Sequence, residues 1–241
     1  FEVLMEVFAA YRQRLQLEAF EFFTDLALKH TTAHGALNPF DQVYPYYVVT
    51  EYAAGDEAAE AAAMAAFEFC AGQGWVLDGV ISSSVEQAQQ IWRLREGITE
   101  ALARYTPYKN DVAVRISRMP AFLARCQELI GGAYPHFEVV WFGHIGDGNL
   151  HINVLKPEGM AQDEFVAQCE QVTKLLAQVL SEFDGSISAE HGIGLVKKAY
   201  LGSTRGPAEI ALMQAIKRAL DPAGRLNPGK VFFYLFFYFR R

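Results

Sequence analysis

The spacing of apolar positions along the chain predicts alternating helices and short strands. Residues 1–16 and 18–30 carry two helical patterns with little between them. Val43 to Tyr52 is β-branched and aromatic and reads as a strand. Residues 56–73 are rich in Ala and Glu and read as a helix closed by Gly72 and Gly74. Trp75 to Ser82 reads as another strand. Ser84 is then an N-cap with Gln87 three positions on, a capping box, and the helix runs to about Tyr105 before Pro107 stops it. Asp111 to Ser117 alternates like a strand, and Pro120 sits in the first turn of a helix ending near Gly131-Gly132. Phe137 to His144 and Leu150 to Leu155 are strands joined by a tight turn. A long amphipathic helix covers 161–183. Gly185 to Glu190 is a short strand followed by a glycine loop, and Pro207 opens a last helix that ends before Pro222. This order predicts an α+β fold, a mostly antiparallel sheet with helices packed on one side of it, as in ferredoxin-like domains.

The turn between the two central strands carries the chemistry. Asp147-Gly148 is a type I′ hairpin signal. With those two residues as the loop, His144 lies directly opposite His151 and Phe142 opposite Asn153. Opposed side chains sit about 4.5–5.5 Å apart at Cβ on one face. Two imidazoles that close suit one divalent ion, because protonating both would make them repel. The alternative is a pair of ordinary strand histidines. A catalytic-type site needs a third ligand and open positions. Glu190, in Ser186-Ile-Ser-Ala-Glu-His-Gly-Ile-Gly194, is the candidate. Alternation puts Glu190 and Ser188 on one face and His191 on the other, and the glycines that follow let His191 turn back.

Cations for an anionic ligand come from two places. Trp92, Arg95 and Thr99 fall on one face of the helix from Ser84, and Lys109 stands two positions before Asp111. Arg grips a carboxylate with a planar fork, whereas Lys is a point charge. The other reading of Arg95 is a solvated neighbour of Glu96. Gly192-x-Gly194 has Lys at 197 where a dinucleotide fingerprint needs glycine.

Composition narrows the classes. With 21 Lys+Arg against 28 Asp+Glu the net charge is −7, and no basic block occurs, which makes the chain a poor binder of nucleic acid and of anionic membrane surfaces. Cys70, Cys126 and Cys169 are far apart and odd in number, which fits a reducing compartment rather than a disulfide framework. The apolar run 231–239 holds nine residues, seven of them aromatic, against about 20 for a membrane span. It reads as a last buried or swapped strand, or else as a contact for a membrane or partner. Phe1 is not an initiator Met, so the expectation is a chain that begins inside a longer one.

Gly143-His-Ile-Gly-Asp-Gly-Asn-Leu-His151-Ile-Asn153 resembles the G-H-x-G-D-G-N-x-H-x-N motif in the C-terminal, substrate-side domain of FAD-linked oxidases. These vanillyl-alcohol-oxidase-like flavoproteins include D-2-hydroxyglutarate and D-lactate dehydrogenases. Trp92-Arg-Leu-Arg-Glu96, Glu190-His-Gly-Ile-Gly194, and Asp221-Pro222 through Leu226-Asn-Pro-Gly-Lys230 match in the same order. The resemblance implies a domain over 1–232, with an aromatic tail, 233–241, outside the family pattern. It implies zinc or another divalent ion on His144, His151 and Glu190, and His191 as general base. Arg95, Thr99 and Lys109 match positions that hold substrate carboxylates, with Asn153 beside the metal. Asn149 and Asn227 match positions facing the flavin. Relatives commonly carry Val-Pro where this chain has Val114-Arg115.

The function so implied is the substrate- and metal-binding half of an enzyme that oxidises a D-2-hydroxy acid to the 2-oxo acid. D-2-hydroxyglutarate is favoured, because two cations and a metal suit a dicarboxylate, and D-lactate comes next. The implied partners are an FAD-binding domain and an electron acceptor, flavoprotein or quinone, with a homodimer as the oligomer. The compartment is the cytoplasm, or the mitochondrion in a eukaryote. At this length no redox catalysis by the chain alone is expected. Two other readings stand beside this one: a metal-dependent hydrolase on the same three ligands, and a non-catalytic docking module.

Overall fold

A computed structural model describes residues 1–53 and 57–233. Five strands form one antiparallel sheet in the order β2-β1-β4-β5-β3. They are β1 (Leu17–Thr24), β2 (Tyr46–Tyr52), β3 (Tyr108–Ala113), β4 (Glu138–His144) and β5 (Asn149–Leu155). The α+β class read from the sequence holds.

The helices cover both faces rather than one. Phe20, Phe22, Trp141, Ile152 and Val154 point to a core closed by α1 (Glu2–Arg14), α6 (Met119–Ala133) and α7 (Gln162–Glu182). Phe23, Val140, Phe142 and Leu155 point the other way. They meet α2 (Asp25–Ala33), α4 (Val85–Glu96) and α5 (Ile98–Ala103). Both faces of the central strands are apolar, so their period-2 signal is weak. That explains why residues 18–30 read as one helix. Leu17–Thr24 is instead a strand paired on both sides, by β2 and β4, and the helix begins only at Asp25.

Three other expected elements differ. Trp75 to Ser82 joins no strand, and its Leu77, Val80 and Ile81 are exposed. It follows α3 (Glu57–Gly72) as a connecting segment. The helix from Ser84 is two helices meeting at Gly97, where a Cβ would stand 2.6 Å from the Arg93 carbonyl oxygen. Ser84 does cap it, accepting from the Gln87 N–H over 3.3 Å. The return half of the box is displaced by one residue: Gln87 Oε1 accepts from Ser83 N–H, not Ser84. The expected strand at Gly185 to Glu190 reduces to one bridge, Ala113 with Ser186. The chain then runs through α8 (Leu201–Thr204) to α9 (Pro207–Leu220). Of the tail 233–241, residues 234–241 lie outside the described residues.

Candidate metal and substrate site

Four strands aim polar side chains at one patch. Alternation and register put Glu21 (β1), His144 (β4), His151 and Asn153 (β5), and Lys109 and Asp111 (β3) on one face. The last turn of α4 delivers Arg95 over that face. Its guanidinium carbon stands 4.9 Å from the centroid of the Phe142 ring.

The hairpin that carries the histidines is not the two-residue turn expected. Ile145–Asp147 form a short 3-10 turn and Gly148 follows at φ 73°. His151 therefore faces Phe142, and Asn153 faces Val140. The register is shifted by two residues. A shift of two preserves the face, since side chains alternate with period two. His144 and His151 become diagonal neighbours, with ring centroids 5.5 Å apart. Gly148 is required at its place: a Cβ there would lie 2.1 Å from the Val114 carbonyl oxygen.

Around His144 the contacts are close. Its Nδ1 is 2.8 Å from the buried Glu21 carboxylate, and its Nε2 is 3.2 Å from Glu190 Oε1. Arg95 Nη2 lies 2.9 Å from Glu21 Oε2 and 3.4 Å from His144 Nε2. Asn149 Nδ2 donates to Glu190 Oε1 over 2.6 Å. The ligand atoms of His144, His151 and Glu190 all lie within 4.8 Å of one another.

Asp111 builds the other side. It is fully buried, and its Oδ2 accepts from the backbone N–H groups of Ala189, Glu190 and His191 over 3.1, 2.8 and 2.8 Å. Three N–H groups on one oxygen fold the segment 188–191 around it like an anion nest. That nest, rather than strand alternation, brings Glu190 to the patch and leaves His191 exposed beside it. The His191 ring centroid is 6.1 Å from that of His151. Lys197 Nζ donates to the Asp111 carbonyl over 3.0 Å.

These surroundings shift the titrating groups. The hydrogen bond to Glu21 raises the His144 pKa, against an opposing effect of burial. Burial, reinforced by Arg95, pushes His151 down to about 4, so it is neutral at ordinary pH and offers a lone pair. Burial raises Asp111, but the His191 and Glu190 N–H groups and the Lys197 charge outweigh it, and the net shift is downward. Burial lowers Lys197 and also Arg95, with Asp111 and Glu21 respectively opposing the shift.

Two nitrogens and one carboxylate oxygen with open positions form the donor set of a catalytic divalent ion. The neutral His151 and the Glu21-backed His144 fit such an ion. A second set, Asp111, His151 and His191, also has its ligand atoms within 4.8 Å. There Oδ2 of Asp111 is committed to the loop, while Oδ1 is buried with no hydrogen-bond partner.

The other expected residues fall as follows. Arg95 is buried against Glu21, not a solvated neighbour of Glu96. Lys109 is exposed and pairs with the buried Asn153 across β3 and β5. Thr99 is exposed on α5, and no hydrogen bond among the described residues ties it to the cluster. Asn149 turns its amide nitrogen to Glu190 and leaves a buried oxygen without a partner. Asn227 sits exposed in the loop after α9, its Oδ1 accepting from Lys230. Sequence reasoning missed Glu21, which lay in a stretch read as helix, and gave Asp111 and Lys197 no role. The available signal for Glu21 was one acid enclosed by aromatics in Phe20-Glu-Phe-Phe23.

A family model described as FAD linked oxidases, C-terminal domain, matches residues 1–231. The chain belongs to this family. Within the FAD-linked oxidases, a D-2-hydroxyglutarate dehydrogenase of Xanthomonas citri pv. viticola is 74% identical over 232 residues, covering 96% of this chain and 49% of that protein. One of Stutzerimonas stutzeri is 48% identical over 233 residues, covering 96% and 50%. The mitochondrial D-2-hydroxyglutarate dehydrogenase of Arabidopsis thaliana is 36% identical over 221 residues, covering 89% and 38%. The chain thus spans about half the length of the bacterial relatives. No helix of the described residues is long and apolar enough to cross a membrane.

Proposed function

We propose that residues 1–232 are the substrate- and metal-binding domain of an FAD-dependent dehydrogenase that oxidises D-2-hydroxyglutarate to its 2-oxo acid. The observation that carries this reading is the convergence of His144, His151 and Glu190 beside the buried Arg95. The names of the similar proteins support the substrate.

His144, His151 and Glu190 hold zinc or another divalent ion. That ion supplies a Lewis acid which lowers the pKa of the substrate hydroxyl, and the flavin supplies the hydride acceptor. Arg95 grips a substrate carboxylate, its plane set by Phe142 beneath and Glu21 at one edge. Lys109 and Thr99 take the distal carboxylate in this reading, and Asn153 stands across from Lys109 and two positions from His151 on β5. His191 takes the hydroxyl proton on a ring nitrogen, a role suited to imidazole. Its exposure leaves it open to substrate. Asn149 and Asn227 face the flavin, which an FAD-binding domain holds.

That domain covers α9 in this reading. No residue of α9 is buried, and Leu212, Ile216 and Leu220 make an exposed stripe at i, i+4, i+8. Electrons leave to a flavoprotein or quinone in the cytoplasm, or in the mitochondrion of a eukaryote, and the enzyme is a homodimer.

The test uses the complete protein with its FAD-binding domain. Turnover of D-2-hydroxyglutarate well above D-lactate is expected, and the reverse order overturns the substrate assignment. H144A/H151A should purify without metal, and stoichiometric metal in that variant refutes the ligand set. H191N with near-wild-type kcat ends the general-base role.

A further inference from the structure

Glu21 enters the chemistry above only as a neighbour of Arg95, yet it is buried at 6% exposure beside both a histidine and an arginine. It stands on β1 directly across from His144 on β4, at the end of a three-pair ladder. Its carboxylate meets His144 Nδ1 at 2.8 Å and Arg95 Nη2 at 2.9 Å. Backbone register sets the first of these distances, and the last turn of α4 sets the second. The neighbours Phe20, Phe22 and Phe23 are all buried, so packing alone calls for no acid here. A buried ion pair is a poor stabiliser beside a well-packed apolar pair, because each charge loses its hydration.

We propose that Glu21 is a positioning residue that orients two groups at once, His144 as a metal ligand and Arg95 as a carboxylate clamp. The inference rests on the function proposed above. An Nδ1–H donated to Glu21 fixes the tautomer in which Nε2 carries a lone pair toward Glu190. A carboxylate behind a ligating imidazole also makes it a stronger donor. On the other side, Glu21 holds one edge of the guanidinium, and Phe142 holds its face. Arg95 Nε and Glu21 Oε2 are both buried without a hydrogen-bond partner, so charge, over the 2.9 Å ion pair to Nη2, is what holds the guanidinium to this carboxylate. One carboxylate thereby ties metal affinity to substrate-carboxylate affinity.

The experiment compares wild type, E21Q and E21D as complete protein. Zinc affinity is measured on the metal-stripped forms against a chromophoric chelator, and kcat and KM are measured separately with D-2-hydroxyglutarate. Gln keeps the volume but turns an amide toward Arg95 or His144. Zinc affinity is expected to fall about 10- to 100-fold in E21Q. KM should rise several-fold more than kcat falls. E21D keeps the charge but withdraws it by one methylene, and is expected to fall between the two. A folded E21Q with wild-type zinc affinity and wild-type KM overturns the inference. If E21Q does not fold, wild-type values in E21D overturn it equally. If the wild type itself binds no divalent metal and does not oxidise the acid, the underlying function has failed. A wild type that does both beside an indifferent E21Q refutes the role of Glu21 alone.

Discussion

The backbone N–H of His191 donates to Oδ2 of Asp111 over 2.8 Å, across 80 positions of sequence. This contact, with its two companions from Ala189 and Glu190, positions the loop that carries a proposed ligand and the proposed base. Asp111→Ala removes the one buried acceptor shared by three N–H groups of the exposed segment 189–191. A destabilisation of about 3 kcal/mol is expected from lost hydrogen bonds to a charged group. Asp111→Asn keeps one acceptor oxygen and should cost roughly half of that. Urea denaturation of the variants checks both values, and a cost near zero for the alanine variant removes the nest from the account.

His151 belongs to both donor sets, whereas His191 belongs only to the set with Asp111. Metal retention therefore separates them. H151A is expected to lose the ion in either arrangement. H191A should keep stoichiometric metal if His144, His151 and Glu190 are the ligands. Metal analysis of gel-filtered protein decides, and loss of the ion in H191A moves the site to Asp111.

Gly148→Ala puts a Cβ against the Val114 carbonyl in a left-handed conformation. The cost is on the order of 3 kcal/mol, combining backbone strain with a steric clash. Thermal unfolding of the variant should show a clear drop in Tm, and an unchanged Tm contradicts the turn geometry described.

Asp221 gives a pH dependence away from the site. The Lys217 hydrogen bond, with the Leu226 and Arg225 N–H groups, holds its pKa below the ordinary carboxylate range, against the effect of burial. The folded pKa is the lower one, so its contribution to stability is present above the unfolded value, near 3.9. It is lost as the pH falls through the folded value. The Arg225 and Leu226 amide resonances should be steady at neutral pH and move only below about pH 4. Movement of these amides between pH 5 and 7 contradicts this assignment.

The legible part of the site was local. Ser84, the α4 face carrying Arg95 and the Asp147-Gly148 turn are written in short windows of sequence. The direct pairing of the two histidines was wrong, but they stayed on one face because an error of two residues leaves every side chain on its own side. An error of one would have sent His144 into the opposite core. What sequence could not show was set by contacts across the sheet. Leu17–Thr24 is buried on both faces from Phe20 onward, so neither period stood out, and Glu21 went unseen with it. The segment 185–191 carries strand-like residues, yet the Asp111 carboxylate folds it into a nest instead.

Strand β3 ends the sheet, so its outward backbone groups are a template on which another chain could pair. The site loop and Lys197 occupy those at one end, at Asp111 and Ala113. Ser186 exchanges both hydrogen bonds with Ala113, over 3.0 and 2.7 Å, and Lys197 takes the Asp111 carbonyl. The segment that brings Glu190 and His191 to the patch is thus also an edge guard. Damage to it uncovers a sticky margin, and variants that free this loop should be met first as aggregating protein, before any loss of chemistry is measured.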